Sequence, residues 1–294
     1  MAEETPEARE WGALYEAAVR VKELAPWEWM TETDVFGVQS PETGELGLVS
    51  VMGMLGEYYA VDVYVGSEGI HGFLDLQEMG PFADPEALIQ IPQLHASFEN
   101  REELDRRDRE VIKELGLKFR GRNAWPMFRS YRPFFFPWFL EPEEVRFLSV
   151  ALEQLVDVAP RFREDDSLLE PSDGEGLLLR EPRREGETLV WEDGSTGVPP
   201  LDAPPIEVEM EEAKIEALAS LPKREIHLEM DFLMFPAPAK NEGGRPYFPH
   251  MLLTVDAKSG MILGSELLAP LPSPEAMWGS VPETLADQLS AMEM

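Results

Sequence analysis

The sequence predicts an α+β protein of two modules, with mostly antiparallel sheets flanked by helices. Three observations predict it. Apolar residues recur at helical spacing in some segments and alternate at every second position in others, with turn-forming residues between them. At 294 residues the chain is long for one hydrophobic core. Between residues 164 and 206 the composition shifts to acid, Gly and Pro, as in a linker. The expected boundaries are residues 1–163 for an N-terminal module, 164–206 for a linker with a small hairpin, and 207–294 for an α-β-β-β-α module.

The first element is an amphipathic helix. Thr5-Pro6 reads as its start, and Trp11, Leu14, Tyr15, Ala18 and Val21 form one apolar stripe that stops near Pro26. Trp27 and Trp29 follow and are expected to pack under the next element. Val35–Val38 and Leu48–Met54 read as strands around the turn residues Ser40–Gly44. Tyr58–Val65 alternates cleanly, with Tyr59, Val61, Val63 and Val65 on one face and Tyr58, Ala60, Asp62 and Tyr64 on the other. A helix over Ser67–Met79, a short one opened by Asp84-Pro85, and a strand around Leu94, Ala96 and Phe98 come next. Glu102–Leu115 is a charged helix with a narrow apolar stripe, stopped by Gly116. Pro142 opens a helix that buries Val145, Leu148, Leu152 and Leu155 and ends near Pro160.

In the linker, Leu177–Arg180 and Thr188–Trp191 pair as the small hairpin. The second module reads as a helix from Met210 to Leu221 closed by Pro222, three strands (Glu225–Phe235, Met251–Asp256, Met261–Leu268), and a last helix opened by Pro282 and running through Leu285, Leu289 and Met292.

Charge excludes some functions. The formal net charge is −32, from 57 acidic and 25 basic residues. Such a field repels phosphate backbones and anionic lipid headgroups, so nucleic acid and membrane are not expected partners unless cations segregate into a patch. There is no cysteine, which excludes disulfides, thiol nucleophiles and thiolate metal sites. The acidic start Met1-Ala2-Glu3-Glu4 does not read as a signal peptide, and a cytoplasmic protein is expected.

Several short stretches carry a resemblance. Pro26-Trp27-Glu28-Trp29-Met30, Val51–Glu57, Val63–Gly69, Phe128–Pro133 and Pro137-Trp138 resemble an uncharacterised bacterial family known only as a domain of unknown function. Leu253–Asp256 and Ser259–Gly264 resemble the module that accompanies it, which the resemblance implies to run somewhat longer than residues 207–294. The resemblance implies an architecture and no activity.

Two clusters are candidate sites. Lys118, Arg120, Arg122, Arg129 and Arg132 are interleaved with Phe119, Trp125, Phe128 and Tyr131. Cations among exposed aromatics suit a single-stranded nucleic acid or another anion, with Arg129 and Arg132 as the anion contacts. The alternative is that the aromatics fill the core and the arginines answer the protein's own carboxylates.

The other cluster is acidic. Glu229 and Asp231 share a strand face with His227. A hairpin centred on Asn241–Gly244 would set that face on the same side as Asp256. Three clustered carboxylates bind Mg²⁺ and support phosphoryl chemistry, with Asp231 and Asp256 as the catalytic candidates. This pattern is similar to the opening of a ribonuclease-H-like integrase core, which would make Asp231 the first metal ligand. That family needs later acids, and only Glu283, Asp287 and Glu293 follow. The alternative is a solvated face of a half-buried sheet.

His71, His95, His227 and His250 have no metal-ligand spacing, and no Gly-rich phosphate loop is present. The leading expectation is a non-enzymatic interaction or accessory protein with a protein partner and no cofactor. The alternative is a metal-dependent phosphodiesterase or nuclease-like enzyme using Glu229, Asp231 and Asp256 with Mg²⁺.

Overall fold

Two sheets organise the chain, as shown by a computed structural model that describes residues 5–80, 85–170, 176–186, 188–201, 204–208, 210–220, 227–240 and 244–291. The helices are α1 (Ala8–Leu24), α2 (Gly66–Met79), α3 (Pro85–Leu88), α4 (Arg106–Glu114), α5 (Pro142–Glu164), α6 (Glu212–Ser220) and α7 (Pro274–Ala291). The strands are β1 (Phe36–Gln39), β2 (Leu46–Met52), β3 (Ala60–Val65), β4 (Gln93–Glu99), β5 (Trp125–Tyr131), β6 (Leu177–Glu185), β7 (Thr188–Thr196), β8 (Leu228–Met234), β9 (His250–Asp256) and β10 (Ile262–Leu268). The fold is α+β. No helix among the described residues is long and apolar enough to cross a membrane. Asp84, Pro222, the strand start at Glu225 and Ile226, the turn residues Asn241–Gly243, Met292 and Glu293 lie outside the described residues.

The chain divides into two units: Met1–Arg132 with Pro137–Asp202, and Pro133–Phe136 with Ala203–Met294. The first holds a seven-stranded sheet in the order β5-β4-β3-β2-β1-β6-β7. All its pairings are antiparallel except β1–β6, where Gly37 meets Leu179 and Val38 meets Arg180 in parallel. The hairpin expected inside a linker is therefore the far edge of this sheet.

Period-two alternation divides the sheet's two faces. Val49, Val51, Val61, Val63, Leu94, Ala96 and Phe128 form one core with the buried stripes of α1 and α5. On the opposite face, Leu48 and Tyr64 pack with Ile70 and Phe73 of α2. The same face carries a polar row, Ser50, Asp62, His95 and Arg129, at matched positions of β2 to β5.

Helix starts follow side-chain capping. Glu7, not Thr5, caps α1: its side chain and that of Glu10 form a reciprocal capping box, so the helix begins at Ala8. Asp105 caps α4, which shortens the charged helix expected from Glu102. Trp29 donates from Nε1 to the Ala159 carbonyl at 3.0 Å and so anchors the segment after α1 against α5.

The second unit is a three-stranded antiparallel sheet, β10-β9-β8, with α7 against one face. Gln288 of α7 donates to the Leu252 carbonyl and accepts from the Thr254 hydroxyl, while Trp278 packs on Phe232. Pro282 does not open the last helix. Ser273 and Pro274 do, with the Ser273 hydroxyl accepting from the Ala276 amide, and Pro282 sits inside the helix.

Candidate anion-binding groove

Helix α4 and the loop after it build a groove from residues that cannot bury their charge. Leu104 and Ile112 are buried against the core, and Val111 and Leu115 lie half-buried beside them. With that stripe inward, Arg109 and Lys113, one turn apart, stay exposed on the outer surface. Gly116, at φ +68°, ends the helix and turns the chain back. Lys118, Arg120 and Arg122 then run along the loop to Trp125 at the start of β5.

The groove between these segments has a volume of about 670 Å³ and is lined by Arg101, Arg106, Arg109, Lys113, Lys118, Phe119, Arg120 and Trp125 among others. A shallower extension adds Glu102 and Arg122. The Arg101 guanidinium lies 5.8 Å over the Trp125 ring. Phe119 meets Trp125 edge-on and stacks on Tyr15, which ties the groove floor to the main core.

The acids of this region are largely spent locally. Glu103 accepts from the Asn100 amide, Asp105 and Asp108 form the capping box of α4, and Glu110 pairs with Arg106. Arg101, Arg109, Lys113, Lys118, Arg120 and Arg122 are exposed, and none forms an ion pair with a described residue. A chain of net charge −32 thus gathers six uncompensated cations along one groove.

Arg129 and Arg132 do not belong to it. Arg129 donates to both carboxylate oxygens of the buried Asp108, at 2.9 and 2.7 Å, and to the Phe128 carbonyl. Arg132 pairs with Glu144 at 2.8 Å and Glu141 at 2.9 Å. Burial opposes the Arg132 charge, but these two glutamates outweigh it and hold the guanidinium pKa above its usual value. Both arginines answer the protein's own carboxylates.

The acidic candidates are not brought together. In the observed register Leu228 faces Asp256, Met230 faces Thr254, and Asp231 faces Leu253. Directly paired residues share a sheet face, so Asp256 lies on the face of Met230, opposite Glu229 and Asp231. This corrects the expectation of one shared polar face. Asp256 instead accepts from the Lys258 and Ser259 amides and the Ser259 hydroxyl, and these bonds to Ser259 and Lys258 hold its carboxyl below the ordinary range. It shapes the β9–β10 turn. Among the described residues no three His, Asp or Glu side chains are placed to hold a metal.

The polar row of the first sheet contains a chain that sequence spacing did not reveal. His95 Nδ1 lies 2.5 Å from Asp62 Oδ1, and the Tyr58 hydroxyl lies 2.7 Å from His95 Nε2. Burial pushes the Tyr58 phenol above its usual range, so it remains a donor. The geometry fits a neutral imidazole that donates from Nδ1 to Asp62 and accepts from the Tyr58 hydroxyl at Nε2. Tyr58 itself is 42% exposed, and the chain ties the β2–β3 connection to β4. Elsewhere, His71 bonds the Pro199 carbonyl, and burial lowers the His250 pKa.

Residues 11–180 match the model of a family described as a domain of unknown function, DUF7309, and so cover more than half of the chain. The chain belongs to the DUF7309 family. Residues 214–293 match a second model, also described as a domain of unknown function, DUF6930. No curated protein matches the chain, and no solved structure does.

The groove lies wholly within the DUF7309 match, and the dispersed carboxylates lie within the DUF6930 match. Sequence reading found Lys118, Arg120 and Arg122 in the DUF7309 groove and missed Arg101, Arg109 and Lys113. The available signal was the i, i+4 spacing of Arg109 and Lys113 opposite the apolar stripe, masked by the neighbouring acids Asp108, Glu110 and Glu114.

Proposed function

We propose that this protein is a non-enzymatic interaction protein, and that its first unit docks an acidic segment of a protein partner in the α4–β5 groove. One observation carries the reading: six exposed cations without ion-pair partners among the described residues line a groove floored by Phe119 and Trp125, in a chain of net charge −32. A matching acidic segment would be steered there by charge, and its apolar side chains would cover the two rings.

Peptide suits the site better than nucleic acid. A duplex carries about one charge per 1.7 Å, and it would meet the repulsion of the whole molecule as well as Glu102 and Glu110 in the lining. A short peptide presents fewer, spaced charges. Exposed ion pairs contribute about 0.2–1 kcal/mol each, so six give on the order of 1–6 kcal/mol, and the aromatic contacts are needed to overcome the cost of association.

Fluorescence anisotropy tests the reading, with a labelled Glu/Asp-rich peptide containing two aromatic residues and an oligothymidylate of equal charge. The peptide should bind, weaken as salt rises, and lose at least about tenfold in Lys118→Glu/Arg120→Glu. A tighter oligonucleotide, or equal peptide binding by the variant, would overturn it.

A further inference from the structure

Among the described residues, the sheet of the second unit has a helix, α7, against one of its two faces. Burial along β9 alternates accordingly. His250, Leu252 and Thr254 are buried on the α7 face, and Met251, Leu253 and Val255 are half-buried on the other. Pairing extends this other face across both neighbours. Met251 stands between Leu233 and Leu267, Leu253 between Asp231 and Ser265, and Val255 between Glu229 and Ile262. Ile262 is 63% and Leu267 53% exposed. Helix α6 packs with α7, where Lys214 pairs with Glu283 and Asp287. An apolar strip therefore runs along β9 and β10, and contiguous apolar surface with a polar border marks interaction sites.

The charge at its border is one-sided. Glu229 and Asp231 are exposed on β8, and neither forms an ion pair with a described residue. Asp231 accepts from the Phe232 amide at 2.9 Å, which satisfies an amide at the sheet edge and leaves the negative charge without a counter-ion. The β10 border adds Ile262, Ser265 and Leu267 to this face and no charge.

The acids decide the occupant. A second copy stacked with its strands aligned sets the two acids over Ser265 and Ile262, or acid over acid, and either packing covers carboxylates without a counter-charge. A partner with lysines or arginines beside an apolar stripe pairs them. Dimensions decide the shape. The outer strands lie about 10 Å apart and seven residues span roughly 23 Å, the width and length of one helix of about 15 residues. A helix laid here covers the sheet's second face, as helices do in layered folds.

We infer that this face docks a basic amphipathic helix of a partner protein, its apolar stripe over Met251, Leu253 and Val255 and its cations over Glu229 and Asp231. The inference does not depend on the cationic groove.

Fluorescence anisotropy on the full chain tests it, with a labelled helix-forming peptide of about 18 residues that carries leucines on one face and lysines beside them. A scrambled peptide of the same composition has the same charge and no stripe. The patterned peptide should bind saturably and at least about tenfold more tightly than the scrambled one. Glu229→Gln/Asp231→Asn and, separately, Ile262→Ser/Leu267→Ser should each weaken the patterned peptide at least about tenfold. The acid variant changes the net charge of −32 by only two, so general attraction to the acidic chain predicts no such loss. Both pairs are exposed, and unchanged melting temperatures separate lost binding from lost folding. Lys118→Glu/Arg120→Glu should bind no more weakly, so this test stands apart from that of the groove. Equal binding of the scrambled peptide, no saturation at roughly 100 μM, or undiminished binding by both variants would overturn the inference. So would a dimer in sedimentation equilibrium that Ile262→Ser/Leu267→Ser dissociates, because the face would then belong to a second copy.

Discussion

Arg129 places its two terminal guanidinium nitrogens on the two carboxylate oxygens of Asp108, so β5 and α4 are joined by a bidentate pair whose side chains are 14% and 8% exposed. Asp108 also accepts from the Asp105 amide at the start of α4. Removing one partner leaves the other charge buried alone, which costs about 3–5 kcal/mol. Arg129→Met and Asp108→Leu should each lower stability by about 3 kcal/mol, and the double variant should lose less than their sum. Strict additivity in urea unfolding would show that the pair carries no coupling.

The Asp62–His95–Tyr58 chain gives a graded prediction. Asp62→Ala strips the buried His95 Nδ1 of its acceptor and should cost about 1–3 kcal/mol. Tyr58→Phe removes one bond at an exposed residue and should cost about 0.5–1.5 kcal/mol. A reversed order in the urea midpoints, at constant slope, would contradict this.

Two glycines should respond in opposite directions. A Cβ on Gly69 of α2 would stand 2.6 Å from the Pro92 carbonyl oxygen and 2.9 Å from the Tyr64 carbonyl carbon, both backbone atoms. Gly69→Ala should therefore destabilise by about 2 kcal/mol or more. Gly12, inside α1, has nothing within 4 Å of that position, and Gly12→Ala should stabilise by about 0.5–1 kcal/mol. A neutral Gly69→Ala in thermal melts would mean that α2 can move off the sheet.

Glu45 sets a pH dependence. Burial and Glu143 raise its folded pKa above the unfolded value. The favourable contribution is thus complete below about pH 4.3 and is lost as pH rises through the raised folded value. Glu45→Gln should raise the melting temperature at neutral pH and give no gain below about pH 4. The gain is small, because the side chain is largely exposed and screened. An equal gain at both pH values would remove Glu45 ionisation as the cause.

The alternation of β3 was legible because its valines and tyrosines separate at period two and each face meets a different core: Val61 and Val63 one, Tyr64 the other. β5 was not legible. Pro126, Arg129 and the surrounding aromatics mask its period, and Arg129 is admitted to the sheet only because Asp108 receives its charge. The β8–β9 register was misread for a related reason. The connection is long and carries its own bridges, Ala239 and Phe135 each pairing with Tyr247, so the expected turn does not set the register. A shift of one residue moves Asp256 to the other face. Half of the cationic groove was readable along the loop, while Arg109 and Lys113 sat on a helix where acids in sequence are not acids in space and Arg101 lay in the turn before it.

The parallel join of β1 to β6 sets a schedule for biosynthesis. Gly37 and Leu179 are separated by roughly 140 residues, so the open side of β1 waits for its neighbour while that length emerges from the ribosome, on the order of ten seconds at 5–20 residues per second. During that interval the nascent chain presents an uncapped strand, and the late hairpin closes it.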